Sequence, residues 1–369
     1  MTVECERVGG INLAQGVCDM EVPAEVIRGA QQAMESGVNA YTRHDGLAPL
    51  RQAISAKMRS FNGIAADPEA EVVVSAGATG ALYCACLALL DPGDEVIVFE
   101  PFYGYHLNTL LSVDAAPRMV RMSPPDWTFD VEELRRAIGP QTKAILLNSP
   151  GNPTGKVFSM DELRQIAQLA VEHDLFVLSD EIYEYFVYDG HRHLSPGALP
   201  EIADRTITIS GYSKTFSITG WRVGYCVAQA RWAEMIGYVN DLVYVCAPSP
   251  LQMGVAAGIT RLGQGYYDGL GVDFAKKRVL ITDALRAAGF TFAVPQGAYY
   301  ILADASHLPG KDGRAKAMEL LRATGVASVP GESFFLSGGG ERLLRFCYAK
   351  EDVELQDAAD RLARFARAS

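Results

Sequence analysis

Lys214 stands in the stretch SGYSKTFSITGWRVGY (210–225) among small and apolar residues, with no carboxylate within several positions on either side and Arg222 close behind. A lysine amine becomes a nucleophile when burial and neighbouring cations favour its neutral form, and this setting suits that use. The small residues Gly77, Ala78 and Thr79 open the run GATGAL, where backbone N–H groups at a helix start can approach an anion. Phe102, Tyr103 and Tyr105 in PFYGYH offer aromatic faces, and NSPGNPTG (148–155) presents Asn152 on a stiff loop. Asp180 in DEIYEY is followed by Tyr183 one helical turn later. Pyridoxal 5'-phosphate calls for such a set: an anion site, a stacking face, a carboxylate for its pyridinium nitrogen, a donor to its 3-oxygen and an amine to form an imine.

Taken singly, the same residues have plainer readings. Asp180 also fits a helix cap, Tyr103 and Tyr183 fit core aromatics, and Arg345 in LLRFCYA fits a surface ion pair. GATGAL also fits a dinucleotide turn, although the full G-x-G-x-x-G spacing is missing and a dehydrogenase is disfavoured for that reason. The combination points where its members do not.

These groups need a common frame, and the chain supplies one. Short β-rich runs at 71–76, 94–100, 117–122, 143–148, 175–180, 206–211 and 222–228 alternate with helical patterns at 79–90, 130–138 and 160–174. Such alternation predicts an α/β fold with a mostly parallel seven-stranded sheet between helices, whose ligands bind beyond the carboxyl ends of the strands. Each candidate group falls just after a predicted strand. Beyond about residue 270 a helix (273–289), short strands and a closing helix (352–368) predict a smaller α+β domain. The division expected is a large cofactor-binding domain over 37–274, with 1–36 and 275–369 forming the small domain.

At 369 residues and 39.9 kDa the chain is long enough for two interlocked units. A hydrophobic share of 49% with 21% charged residues excludes a disordered chain. The net charge of −11 and pI near 5.1 argue against a nucleic-acid partner. Neither a membrane span nor a secretory leader is expected, which makes a cytoplasmic enzyme the default. The seven scattered cysteines read as small buried hydrophobes. CAC (84–86) lacks companion ligands, HRH (191–193) reads as a solvated loop, and no metal is expected.

SK-x5-GWRVGY and NSPGNPTG, in the order set out above, resemble the class I/II aminotransferase family of fold-type I pyridoxal-phosphate enzymes over nearly the whole chain. The resemblance implies that Lys214 carries the imine and then serves as general base and acid, with Asp180 on the ring nitrogen. It places Asn152 and Tyr183 on the 3-oxygen and Tyr103 against the ring, while Gly77, Ala78, Thr79 and Arg222 hold the phosphate. Tyr41, in NAYTRHDG, is implied to reach the phosphate of a neighbouring subunit, and hence a homodimer is implied. Arg345 is implied to clamp the substrate carboxylate, and Gly16, in LAQGVCD, to let substrate approach the backbone. Many relatives carry a serine three residues before the lysine; here Gly211 stands there, and Ser213 is carried over weakly.

The implied substrates are an amino acid and a 2-oxo acid in a ping-pong cycle. The segment 238–252 has no arginine or lysine for a second carboxylate, whereas Tyr103, Tyr105, Tyr244 and Tyr299 suit a pocket for a neutral or aromatic side chain. Arg43 and His44, beside Tyr41, are the candidates for an acidic one. A C–S lyase, decarboxylase or synthase on the same scaffold stays open. A sensor carrying a DNA-binding helix-turn-helix is not expected, since little chain precedes INLAQG.

Overall fold

Residues 1–368 are described by the computed structural model. Its largest sheet has eight strands in the spatial order Val72–Ser75, Gly224–Val227, Thr206–Gly211, Phe176–Asp180, Thr142–Asn148, Glu95–Glu100, Ala116–Ser123 and Thr128–Phe129. The five from Thr206–Gly211 to Ala116–Ser123 run parallel, while Gly224–Val227 is antiparallel to both its neighbours. All seven expected strands are present. The eighth, Thr128–Phe129, is a two-residue return against Met122 and Ser123, too short to leave an alternating pattern in the sequence.

Strands of the sheet centre are buried on both faces, which explains their unbroken Val/Ile/Leu character. On one face Val96, Val98, Leu146, Leu178 and Ile207 pack under the helices Gly77–Leu89 and Ala230–Tyr244. On the other, Ile97, Ile145, Leu147 and Val177 pack against Leu163, Ile166 and Ala170 of Met160–Glu172. That helix begins with a capping box, Ser159 with Glu162, as the spacing S-x-x-E suggests.

A second sheet has the antiparallel order Thr291–Phe292, Tyr300–Asp304, Leu343–Cys347, Val329–Pro330. It packs with the helices Gln264–Ala287 and Asp352–Ala368 around Ile281, Leu285, Ile301, Phe346, Leu355 and Leu362. The first of these helices starts well before residue 273, because Gly265, Gly269 and Gly271 lower local propensity without preventing the turn from forming. The N-terminal residues divide their packing. Ile11–Asn12 pairs in parallel with Val326–Ala327, whereas the helix Ala24–Glu35 lies along Ser249–Arg261, with Gly29 against Ala257. Among the described residues no helix is long and apolar enough to cross a membrane.

Candidate active site

Asp180 ends its strand with one carboxylate oxygen 2.8 Å from His106 Nε2 and the other accepting the Ile182 N–H at 3.2 Å. His106 is buried and was not singled out by sequence. It lies in the helix Gly104–Ser112, one turn beyond Tyr103, so helical spacing from that tyrosine was the signal available. Its ring meets Tyr103 edge-on, with centroids 5.3 Å apart at 90°. Tyr103 also stacks on Tyr105, and burial pushes its phenol up to about 12, keeping it neutral.

Lys214 sits in the turn that follows Thr206–Gly211, and its Nζ donates to the Gly16 carbonyl at 2.8 Å. Burial holds the amine below the ordinary lysine range, and the Arg222 and Arg345 guanidiniums add to the effect. A side chain at residue 16 would overlap the Tyr300 hydroxyl, which gives Gly16 a steric reason.

The helix Gly77–Leu89 starts at the candidate anion cradle, Gly77 to Thr79. Gly77 has φ +75°, and a Cβ there would come within 2.5 Å of Arg222 Nη2. Arg222 is held by the Thr219 carbonyl at 2.8 Å and the Ala76 carbonyl at 3.3 Å. Ala78, Thr79, Ser213, Thr219, Lys214 and Arg222 line one cleft together with Tyr103, Asp180 and Tyr183. A Cβ at Gly211 would crowd Gly224 Cα at 3.0 Å, so the strand pair leaves little space for a serine at that position.

Arg345, from Leu343–Cys347, donates to Asn152 Oδ1 at 2.9 Å and to the Ala14 carbonyl at 2.5 Å. Its guanidinium lies over the rings of Tyr300 and Phe334, and its buried Nε has no hydrogen-bond partner. The Asn152 N–H donates to Asn148 Oδ1 at 2.8 Å, tying the loop back to its strand. Tyr183 Oη is 2.9 Å from Tyr300 Oη, and burial pushes both phenols up.

Other expected residues lie elsewhere. Tyr41 is 84% exposed and touches none of this set. Tyr299 is a core ring packed between Tyr183, Phe186 and Phe274, and the residue that reaches the site is its neighbour Tyr300. Tyr244 lies beneath the cradle, where its hydroxyl accepts the Ala76 N–H at 3.0 Å. Arg43 is paired with Asp45 and Glu69, and His44 packs against Gly237.

Behind the turn that carries Tyr183 lies a buried polar network. Lys57 Nζ is 2.5 Å from Glu184 Oε1, and the Asn62 amide donates to Glu184 and Glu181. Burial alone raises the Glu184 carboxyl, yet Lys57, His193 and Asn62 together bring it below the usual range. His193 corrects the reading of HRH as solvated: its side chain is 1% exposed and Nε2 lies 2.7 Å from Glu181. Glu181, Glu184 and His193 are grouped closely enough to resemble a metal site, and Lys57 Nζ sits among them against Glu184, with burial lowering its amine below the ordinary lysine range.

The sequence pattern described as aminotransferase class I and II matches residues 8–362. The chain belongs to this family. It is 35% identical to a probable N-succinyldiaminopimelate aminotransferase of Mycobacterium tuberculosis, over 98% of this chain and 94% of that one. It is 34% identical to the kynurenine–oxoglutarate transaminase 3 of Rattus norvegicus, over 96% of this chain and 84% of the relative. The solved structure of N-succinyldiaminopimelate aminotransferase from Mycobacterium tuberculosis superposes with a TM-score of 0.94, covering 99% of this chain and 96% of that one at 35% identity. The aminotransferase thus has the fold-type I architecture and the pyridoxal phosphate dependence of its family. Its residues fit that cofactor, since Gly77 leaves beside Arg222 the space that a Cβ would occupy, and a buried amine and a carboxylate line the same cleft.

Proposed function

We propose that this aminotransferase holds pyridoxal phosphate through Lys214, Asp180, Tyr183, Asn152 and Tyr103, with Gly77, Ala78, Thr79, Ser213 and Arg222 around the phosphate. The observation that carries this reading is the single cleft uniting Lys214, Asp180, Tyr103, Tyr183 and Arg222. The cofactor, when bound, acts as an electron sink for the substrate Cα. Around it the chain does the rest. Lys214 Nζ, whose neutral form burial favours, would relay the proton between the substrate Cα and the cofactor, away from the donor's Cα in one half of the cycle and back to the acceptor's Cα in the other. Asp180 would face the ring nitrogen, with His106 Nε2 2.8 Å behind it. Arg345 turns its donors to the substrate carboxylate, with Asn152 beside it. Gly16 leaves room for the substrate against the backbone.

The amino donor in this reading is neutral or aromatic and the acceptor is a 2-oxo acid. In support, the cations of this chain at the site are Lys214, Arg222 and Arg345, all already assigned, while Arg43 is committed to Asp45 and Glu69. The kynurenine-acting relative points to the same substrate class. A homodimer in the cytoplasm completes the proposal. Tyr41 stands free to reach a partner, and Met235, Tyr238 and Leu242 form an exposed apolar stripe on Ala230–Tyr244. Residues 37–274 are proposed as the large unit, with 1–36 and 275–369 as the small one, the helix Ala24–Glu35 reaching across to pack on Ser249–Arg261 of the large unit.

Colour gives the direct test. The purified holoenzyme should be yellow, borohydride should discharge the colour and fix the cofactor covalently, and Lys214→Ala should form no imine and retain no cofactor covalently; a colourless protein indifferent to added pyridoxal phosphate defeats the assignment. A donor screen should give higher kcat/KM for aromatic and aliphatic amino acids than for aspartate, and the reverse order defeats the substrate class.

A further inference from the structure

Glu100 closes the strand Glu95–Glu100, three residues before Tyr103, and is 0% exposed. Its carboxylate is gripped by one short segment of the other sheet's connections. Oε1 accepts the Leu336 N–H and the Ser337 N–H, the latter at 3.0 Å, and Oε2 accepts the Ser337 hydroxyl. Three donors onto two charged oxygens form a strong, directional hold.

The gripped segment is closed at its neck, where a Cβ on Gly331 would overlap the Gly340 carbonyl. One end of it carries Phe334, whose carbonyl accepts the Phe102 N–H at 3.0 Å and whose ring lies 5.0 Å from the Arg345 guanidinium. The other end runs straight into Leu343–Cys347, the strand that bears Arg345. Arg121 adds a second hold through the Gly338 carbonyl at 3.2 Å. Whatever fixes residues 336–337 therefore fixes both the ring over Arg345 and the strand beneath it.

We propose that Glu100 is a positioning residue for substrate binding: by gripping the backbone at 336–337 it sets Phe334 and Arg345 at the height where Arg345 and Asn152 receive the substrate carboxylate. The inference rests on Arg345 as the carboxylate clamp. Glutamine in place of Glu100 keeps one acceptor for the two N–H groups but loses the charge and the acceptor for the Ser337 hydroxyl. Glu100, Leu336 and Ser337 are not among the groups assigned to the cofactor, so the effect belongs to KM.

The test compares Glu100→Gln, Ser337→Ala and Arg345→Lys as holoenzymes, measuring cofactor affinity, kcat, KM for donor and acceptor, and amide exchange across 331–340. Glu100→Gln should raise both KM values about ten-fold, the scale of a charged hydrogen bond, with kcat and cofactor affinity unchanged. Ser337→Ala should raise them about three-fold, as loss of one hydroxyl donor, and decides the matter if Glu100→Gln fails to fold. Amides 336 and 337 should exchange faster in both. Faster exchange with unaltered KM overturns the proposal, and so does a loss confined to cofactor affinity or kcat. If Arg345→Lys also leaves KM unaltered, the clamp reading itself fails; if Arg345→Lys raises KM and the other two do not, Glu100 alone loses its role.

Discussion

Replacing Lys214 with alanine removes the amine proposed to move the Cα proton, and turnover should fall by about 10³-fold or more in single-turnover assays, the scale of a lost general base and nucleophile. The same change should help the fold. Burial lowers the Lys214 amine, so between that lowered value and the unfolded one near 10.4 the unfolded chain binds the extra proton, and the folded apoenzyme is penalised as pH falls. Apo Lys214→Ala should therefore melt above wild-type apoenzyme at about pH 7, with the gap closing as pH rises toward about 10.4. His106 is the other residue at issue. His106→Leu leaves Asp180 without its 2.8 Å partner, and kcat/KM should drop about ten- to a hundred-fold, the scale of a charged hydrogen bond. Lys214, Asp180 and Gly77 were legible because each stands at or just after a strand end in a setting that a core residue does not need. His106 was not, because one buried histidine in a helix looks the same whether or not a carboxylate faces it.

The turn from Glu181 to Tyr185 stands between the sheet and the site, and its anchorage comes from Lys57, on the distant helix Ala48–Lys57. Lys57→Met leaves the buried Glu184 carboxyl without its cation, and should cost about 3–5 kcal/mol in urea denaturation, while adding Glu184→Leu should recover much of it. The sign with pH follows from the depressed Glu184 carboxyl: its stabilisation is full above the ordinary glutamate value and is lost as pH falls through the lower folded one. Glu184→Gln should flatten that acid limb. Strands announced themselves through unbroken apolar runs and turn residues, which are local signals. The two-residue strand Thr128–Phe129 and the helix Ala230–Tyr244 carried weaker ones, the first for its length and the second because its exposed apolar residues blur the amphipathic pattern. HRH misled at His193 for the complementary reason, since polar composition suggested solvent, as holds for His191 and Arg192, while Glu181 in the turn before it drew His193 inward.

As an assembly, the proposed dimer should sediment at twice the 39.9 kDa chain mass, and Leu242→Glu, at a side chain 69% exposed, should shift it toward monomer. Activity should fall with it, because Tyr41 would then have no neighbouring phosphate to reach. The order of strand and helix units, and the chemical groups at the strand ends, followed from the sequence by itself, since periodicity and turn chemistry act over a few residues. Which groups meet was decided by tertiary structure alone. Arg345 meets Asn152 across 193 positions, His106 meets Asp180 across 74, and Tyr300 rather than Tyr299 faces Tyr183 with its hydroxyl. Those pairings depend on how two sheets pack and in what register, and that is a through-space outcome of the whole core that no short stretch of chain encodes.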